Sequence, residues 1–280
     1  MTKRTLQLAL AAAFAFLTLT NAQAADKVVT GLKMPESVLV ADGKIFVSEI
    51  GEFGKDGDGA VSIIEGDKIK PFATGMNDPK GLAYAKGVLY VADKTRILKI
   101  AKNGKWSVFI APEAFPAKPQ FLNDLVFGDD GVLYVSDTGD LKGHGGAVYK
   151  VAADGKVTTV VNADDPRVLA PNGLLADGKE HLLMVDFFSG ILYRVKLKTG
   201  KLEQVAEGFG GGDGLMRDRN NVLWISDWKN GRVFSLKSGV VKLVKDGYQS
   251  AADIGLSGDG KFILVPDMKA GSLSWLPVRQ

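Results

Sequence analysis

The chain has 280 residues, no cysteine, and 35 basic residues against 32 acidic ones. The absent thiols exclude disulfides and thiolate metal sites. Setting aside Lys3 and Arg4, two of the 35 basic residues, leaves 33 against 32 acids, with no Lys/Arg block; nucleic acid and an anionic membrane are thereby excluded as expected partners.

At the N-terminus, Lys3 and Arg4 precede an apolar and small-residue run over residues 6–20, and Ala22-Gln23-Ala24 offers a small-x-small cleavage site. This order predicts a secretory signal peptide over residues 1–25 rather than a membrane span. With no lipobox cysteine to anchor it, the remaining chain is expected to be soluble and periplasmic or secreted. Its 34 Gly and 10 Pro are spread without a linker-like cluster, so residues 26–280 read as one domain.

Along that domain one pattern recurs six times. A polar or small anchor opens a strand, a Gly/Asp/Asn turn follows, and a second apolar strand ends in an acid. The anchors are Glu36, Lys80, Asn123, Asn172, Asp213 and Asp253, spaced 40 to 49 residues apart. The acids are Glu49, Asp93, Asp137, Asp186, Asp227 and Asp267, each 13 or 14 residues beyond its anchor. A unit of this length, rich in Val, Ile, Leu and Tyr, predicts a four-stranded propeller blade. In the first unit the strands are expected at 37–40, 44–48, 60–65 and 68–73. No segment carries a helical apolar period. The fold class is all-β: a six-bladed β-propeller with four antiparallel strands per blade.

The last unit stops after its third strand, at 271–278, whereas residues 26–31 have the look of an outer strand. The N-terminal strand is therefore expected to complete the last blade, leaving no long unpaired edge.

In a propeller the first strand of each blade lines the central channel, so the six anchors form a ring at its mouth. Glu36 and Asp213 supply two carboxylates, Asn123 and Asn172 two amides. This oxygen-only set suits a hard cation, Ca²⁺ first, with Mg²⁺, Mn²⁺ or Zn²⁺ as alternatives. Asn and Asp at strand starts also bond nearby backbone in turns, which is the competing structural reading.

The same positions carry a family resemblance over essentially the whole predicted domain. Phe121-Leu122-Asn123-Asp124, Pro171-Asn172-Gly173-Leu174 and Asp213-Gly214-Leu215 before Val222-Leu223-Trp224 resemble the motifs of the senescence marker protein/gluconolactonase-like (regucalcin-type) family, and Glu36 sits where that family has its first-blade Glu. The resemblance implies a divalent-metal site at Glu36, Asn123, Asn172 and Asp213, and a lactonase or esterase in which the metal polarises the carbonyl for attack by water. It favours Asp213 as the catalytic base, doubling as ligand, with Asp124 and Asp253 as the other nearby acids. Sugar-lactonase members carry an Arg two residues before the third-blade Asn; here Phe121 stands there. An aromatic ring cannot replace a charged bidentate fork, so a more apolar lactone or ester is expected.

Two Gly/Asp-rich insertions, 51–59 and 138–146, follow the second strands of units one and three and are expected to overhang the mouth. His144 on the second insertion, Lys80 and Asp253 on the ring, Asp124, Phe121, and Trp228 just after Asp227 are the candidate substrate contacts. The strand-end acids, uniform in every unit, read instead as structural. The expected partner is a small lactone or ester. The alternatives are a non-catalytic NHL-like propeller binding a ligand or protein, and a strictosidine-synthase-like propeller without lactonase activity.

Overall fold

A computed structural model describes residues 27–278. The expected signal peptide at 1–25 lies outside the described residues. The chain opens with β1 (Val28–Thr30). Blade 1 is then β2 (Pro35–Ala41), β3 (Lys44–Glu49), β4 (Gly59–Glu65) and β5 (Lys68–Met76), and blade 2 is β6 (Pro79–Ala85), β7 (Val88–Asp93), β8 (Arg96–Ile100) and β9 (Trp106–Ile110). Blade 3 is β10 (Leu122–Phe127), β11 (Leu133–Asp137), β12 (Ala147–Val151) and β13 (Val157–Asn162), and blade 4 is β14 (Pro171–Ala176), β15 (His181–Asp186), β16 (Ile191–Lys196) and β17 (Leu202–Glu207). Blade 5 is β18 (Gly212–Arg217), β19 (Leu223–Asp227), β20 (Arg232–Lys237) and β21 (Val240–Lys245); blade 6 takes β22 (Gly255–Leu256), β23 (Phe262–Asp267) and β24 (Ser272–Pro277). Each sheet is four-stranded and antiparallel, a meander in blades 1 to 5, and the sole helical element among the described residues is a 3₁₀ turn at Pro112–Ala114.

The ring closes as expected. β1 pairs with β24, Val29 facing Leu273 across the ladder, and supplies the fourth strand of blade 6. Gly31 and Leu32 both donate their N–H to the Gly271 carbonyl, fastening the chain as it turns toward blade 1. Closure is also where the first and last anchors meet: the Asp253 N–H donates to the Glu36 carbonyl over 2.9 Å.

The core lies between blades rather than within any one of them. Phe46, Val61 and Met76 of blade 1 pack on Leu82, Val91 and Leu98 of blade 2. Equivalent clusters join every neighbouring pair around to Val29, Leu264 and Trp275 of blade 6 against Val38 and Val47 of blade 1. A sheet with two apolar faces has no stable solution alone, so each blade needs both neighbours. Trp106, Trp224 and Trp275 are inter-blade packing, as their strand positions suggest.

The strand-end acids hold the blade corners. Asp137 accepts the N–H of Gln120, Phe121 and Gly139; Asp186 accepts those of Leu169, Ala170, Phe188 and Ser189; Asp267 accepts those of Gln249, Ser250 and Ala270. Glu49, Asp93 and Asp227 do the same for Lys33, Asn77, and Gly211 with Asn230. Asp137, Asp186, Asp227 and Asp267 thus tie the loop that enters a first strand to the turn that leaves the second, while Glu49 and Asp93 tie the entering loop to the Ser62 and Arg96 side chains of the third strand. Buried backbone donors need such partners, and a carboxylate's lone pairs satisfy several at once.

Candidate functional site

Five first strands share one irregularity. The ladder between first and second strand slips between Pro35 and Val38, Pro79 and Leu82, Leu122 and Leu125, Pro171 and Leu174, and Gly212 and Leu215. The anchor and the residue after it oppose a single partner, which is a β-bulge, and a bulge re-aims the side chain it carries. Serines on the second strands cap the freed N–H groups: Ser48 for Ser37, Ser136 for Asp124, Ser226 for Gly214. The anchors Glu36, Lys80, Asn123, Asn172 and Asp213 therefore turn together into the channel mouth, where all five line one cavity of about 460 Å³ and are at most 5 % exposed. Glycine after the fourth anchor permits this convergence, because a Cβ on Gly173 would come within 1.9 Å of the Asp213 carbonyl oxygen.

The floor of the cavity is polar and under-bonded. Glu36 Oε2, Asn172 Oδ1 and Asp213 Oδ1 are buried side-chain oxygens without a hydrogen-bond partner. Thr138 orients the fourth donor. Its hydroxyl gives its single proton to the Pro171 carbonyl and so can only accept from Asn123 Nδ2, which leaves Asn123 Oδ1 free. Lys80 is 1 % exposed; its Nζ donates to the Asp78 carbonyl and lies 4.0 Å from the centre of the Phe121 ring.

The charges are uncomfortable as they stand. Burial, then Asp213 and Asp253, hold the Glu36 carboxyl well above the usual carboxylate range, with Lys80 pulling the other way. Burial followed by Asp253 and Asp227 does the same to Asp213. Burial pushes Lys80 below the ordinary lysine range, against the pull of Glu36. A cation among the four oxygens would relieve the first two effects directly. Orphaned buried oxygens, two carboxylates and two amides make a set that fits a hard divalent ion and lacks the nitrogen and sulfur that zinc prefers. The set is mixed: no group of three or more His, Cys, Asp or Glu suited to a metal occurs among the described residues.

Three expected substrate contacts stand off the cavity lining. Asp124 occupies the second bulge position, turned from Asn123, and its oxygens accept the N–H of Leu125 and of Leu174 in the next blade. Asp253 Oδ2 takes a 2.5 Å bond from the Ser37 hydroxyl, and burial pushes its carboxyl up to about 7. His144 is exposed on the outside of its insertion, its ring nitrogen 3.2 Å from Asp140 Oδ2, so the turn and not the pocket holds it. Phe121, Lys80 and Trp228 do line the cavity.

The wall above the floor is apolar: Met34, Ile50, Phe53, Phe121, Leu141, Phe187, Trp228 and Met268. Phe53 and Leu141 come from the two insertions. Most of the rest obeys a rule that the repeat already contained. The residue directly after the strand-end acid is Ile50, Thr138, Phe187, Trp228 or Met268 in blades 1, 3, 4, 5 and 6, and all five line the cavity. The second strand returns to the mouth, so when the acid bonds the corner, alternation turns the next side chain toward the opening. In blade 2 the same place holds Lys94, which is tied to Asp56 instead. A wider, open depression by Asp164, Asp165 and Arg167 lies on the outer strands of blades 3 and 4, where Asp165 engages Arg167.

The model of the SMP-30/gluconolactonase/LRE-like region matches residues 76–245, more than half of the chain. The chain belongs to that family. Members of curated protein collections give no match. Among solved structures, the family protein is similar to a gluconolactonase from Xanthomonas campestris at 16 % identity, covering 90 % of each chain with a TM-score of 0.70. It is also similar to a streptogramin B lyase at 11 % identity, covering 90 % of this chain and 97 % of that one with a TM-score of 0.64. A virginiamycin B lyase from Staphylococcus aureus, solved with quinupristin, is 16 % identical over 91 % of this chain and all of that one, with a TM-score of 0.61. At these identities the likeness is one of fold.

Proposed function

We propose that this propeller is a divalent-metal-dependent hydrolase of lactones or related esters, acting at the channel mouth, with Ca²⁺ as the cation that the donor set suits best. The observation that carries the reading is the trio of buried, unpartnered oxygens on Glu36, Asn172 and Asp213 at the floor of one pocket. Membership of the SMP-30/gluconolactonase/LRE-like family supports hydrolytic chemistry on a small molecule there.

Glu36, Asn123, Asn172 and Asp213 would hold the ion, two carboxylates balancing its charge. Bound there, a divalent cation supplies Lewis-acid polarisation of the substrate carbonyl. Thr138 keeps the Asn123 oxygen facing the floor. Asp213 accepts the proton of the attacking water: it lines the pocket and keeps one oxygen unpartnered. Asp124 is set aside for this role because backbone donors occupy its oxygens, and Asp253 because Ser37 holds it away from the pocket lining. Lys80, held against the Phe121 ring and the Asp78 carbonyl, adds a nitrogen donor at the floor, and the apolar wall excludes water from the reacting group. The leader-like N-terminus supports work in the periplasm or outside the cell.

The test is one assay panel of alkyl lactones, sugar lactones and aryl esters, run with and without chelator, together with metal analysis of the purified protein. Chelator-sensitive turnover and about one divalent ion per chain are expected. Metal-free protein without turnover on any carbonyl substrate would defeat the reading.

A further inference from the structure

We infer that the pocket selects a lactone or ester with a bulky apolar body, an aryl or long alkyl group, and rejects polyhydroxylated sugar lactones. The inference rests on the hydrolase reading above and names the substrate class of that site.

Polar atoms able to meet substrate sit almost entirely on the floor, where the carbonyl end belongs. Higher up, the Lys269 ammonium at the rim is the one donor head of the lining left open, and the others are spent. Trp228 Nε1 points at Met268 Sδ over 3.3 Å, and the Thr138 proton goes to the Pro171 carbonyl. Lys269 is on the rim, with its Nζ 4.3 Å from the centre of the Trp228 ring. Apart from one that reached Lys269 at the rim, the hydroxyls of a sugar lactone would therefore face Phe53, Phe121, Leu141 and Phe187, losing water without gaining a partner.

The apolar side chains are also arranged as a clamp. Phe53 and Phe121 meet with ring centres 5.8 Å apart, from blade 1 and the approach to blade 3, so they stand above blade 2. Phe187 and Trp228 meet at 6.0 Å, leaving blades 4 and 5 on the far side of the ring. Two such aromatic pairs in one lining favour a planar or extended apolar body.

Backbone conformation gives an independent sign. Met34 and Leu141 have φ of 52° and 58°, the left-handed region where bulky apolar residues are genuine outliers, and both line the cavity. Glycine or asparagine would relax either position. Large apolar side chains placed there despite that strain indicate that the wall itself is what these positions serve.

The test compares γ-lactones bearing side chains from methyl to octyl, phenyl acetate and glucono-δ-lactone on the metal-loaded protein, with calorimetric binding of the matching unreactive γ-lactams. We expect kcat/KM and lactam affinity to rise about fourfold per added methylene until the cavity is filled, and glucono-δ-lactone to trail the octyl lactone by about 100-fold or more. Phe53→Ser and Leu141→Gly should each flatten the slope. Glycine adopts the Leu141 conformation freely, so an unchanged or raised melting temperature will show that variant to be folded. Turnover with a flat slope, or a preference for the sugar lactone, overturns the inference and leaves the hydrolase reading standing. Lactam binding that climbs with chain length, without turnover of any ester or lactone, supports the apolar class and defeats the hydrolase reading. Neither binding nor turnover defeats both.

Discussion

Two rings of polar residues run around this propeller, one at the starts of the first strands and one at the ends of the second. Both recur in every blade, and both are largely buried. The second-strand acids are nearly identical from blade to blade, and each is bonded to nearby backbone: Asp186 alone accepts four N–H groups. The first-strand anchors vary, Glu, Lys, Asn, Asn, Asp and Asp, and three of them keep a buried oxygen with no partner at all. Uniform residues with satisfied bonds maintain the repeat. Variable residues with unmet bonding capacity are where a ligand belongs, because only something outside the chain can complete them.

The contrast can be broken in several ways. The largest effect is expected from removing residues 26–31, which takes away the closing strand, its ladder with β24 and the buried Val29. Lost burial and hydrogen bonds together come to about 5 kcal/mol, and because closure brings Glu36 beside Asp253, metal binding should fall with the melting temperature. An unchanged melting temperature would remove the closing role of β1.

Next is a matched pair from the two rings. Asp186→Ala orphans buried backbone donors and should cost about 4 kcal/mol in denaturant unfolding. Asp213→Asn removes a buried charge, so the metal-free fold should hold or gain stability, while divalent-ion affinity drops by at least about tenfold. Equal destabilisation by the two variants would erase the distinction between the rings.

A pH series on metal-free protein probes the floor directly. Glu36, Asp124 and Asp213 have carboxyls raised chiefly by burial, and Asp253 is raised to about 7. A raised carboxyl contributes its stability fully below its unfolded value, 3.8 for Asp and 4.5 for Glu, and loses it as pH climbs through the folded value. Stability without metal should thus fall between pH 4 and pH 8, by roughly 4 kcal/mol from Asp253 alone, and added Ca²⁺ should flatten the curve. A metal-free protein most stable at pH 8 would show that these charges are not strained.

The smallest expected effect is the most local. Thr138→Val keeps the shape of the side chain but frees the Asn123 amide, and should weaken metal binding about tenfold with little change in melting temperature. Unaltered affinity would mean that Asn123 is not a ligand.

Much of this is legible in the chain alone. The spacing of anchors and acids announces six blades, and a last unit one strand short, with a spare strand at 26–31, announces the closure. The corner acids could be set aside for their uniformity. Phe121, standing where sugar lactonases carry Arg, already pointed toward apolar substrates. The wall was harder to see, although the residue after each acid, from Ile50 to Met268, lay in plain view. A single apolar residue at a strand end looks like core until the direction of the strand's return is known. Asp124 and Asp253 stand off the cavity lining, since polar character alone does not say which way a residue in or beside a bulge will point. For His144 the deciding fact was the bond to Asp140, a partner only four residues away.

By itself, the amino-acid sequence determined the blade count, the closure and the identity of the floor ring, since these follow from periodicity and from which residues interrupt an apolar strand. Tertiary structure alone decided the directions of the side chains: the bulges that turn five anchors inward, the threonine that orients an amide, and the insertions that bring Phe53 and Leu141 over the mouth. Direction depends on bonds between residues far apart in the chain, and those exist only once the blades have met.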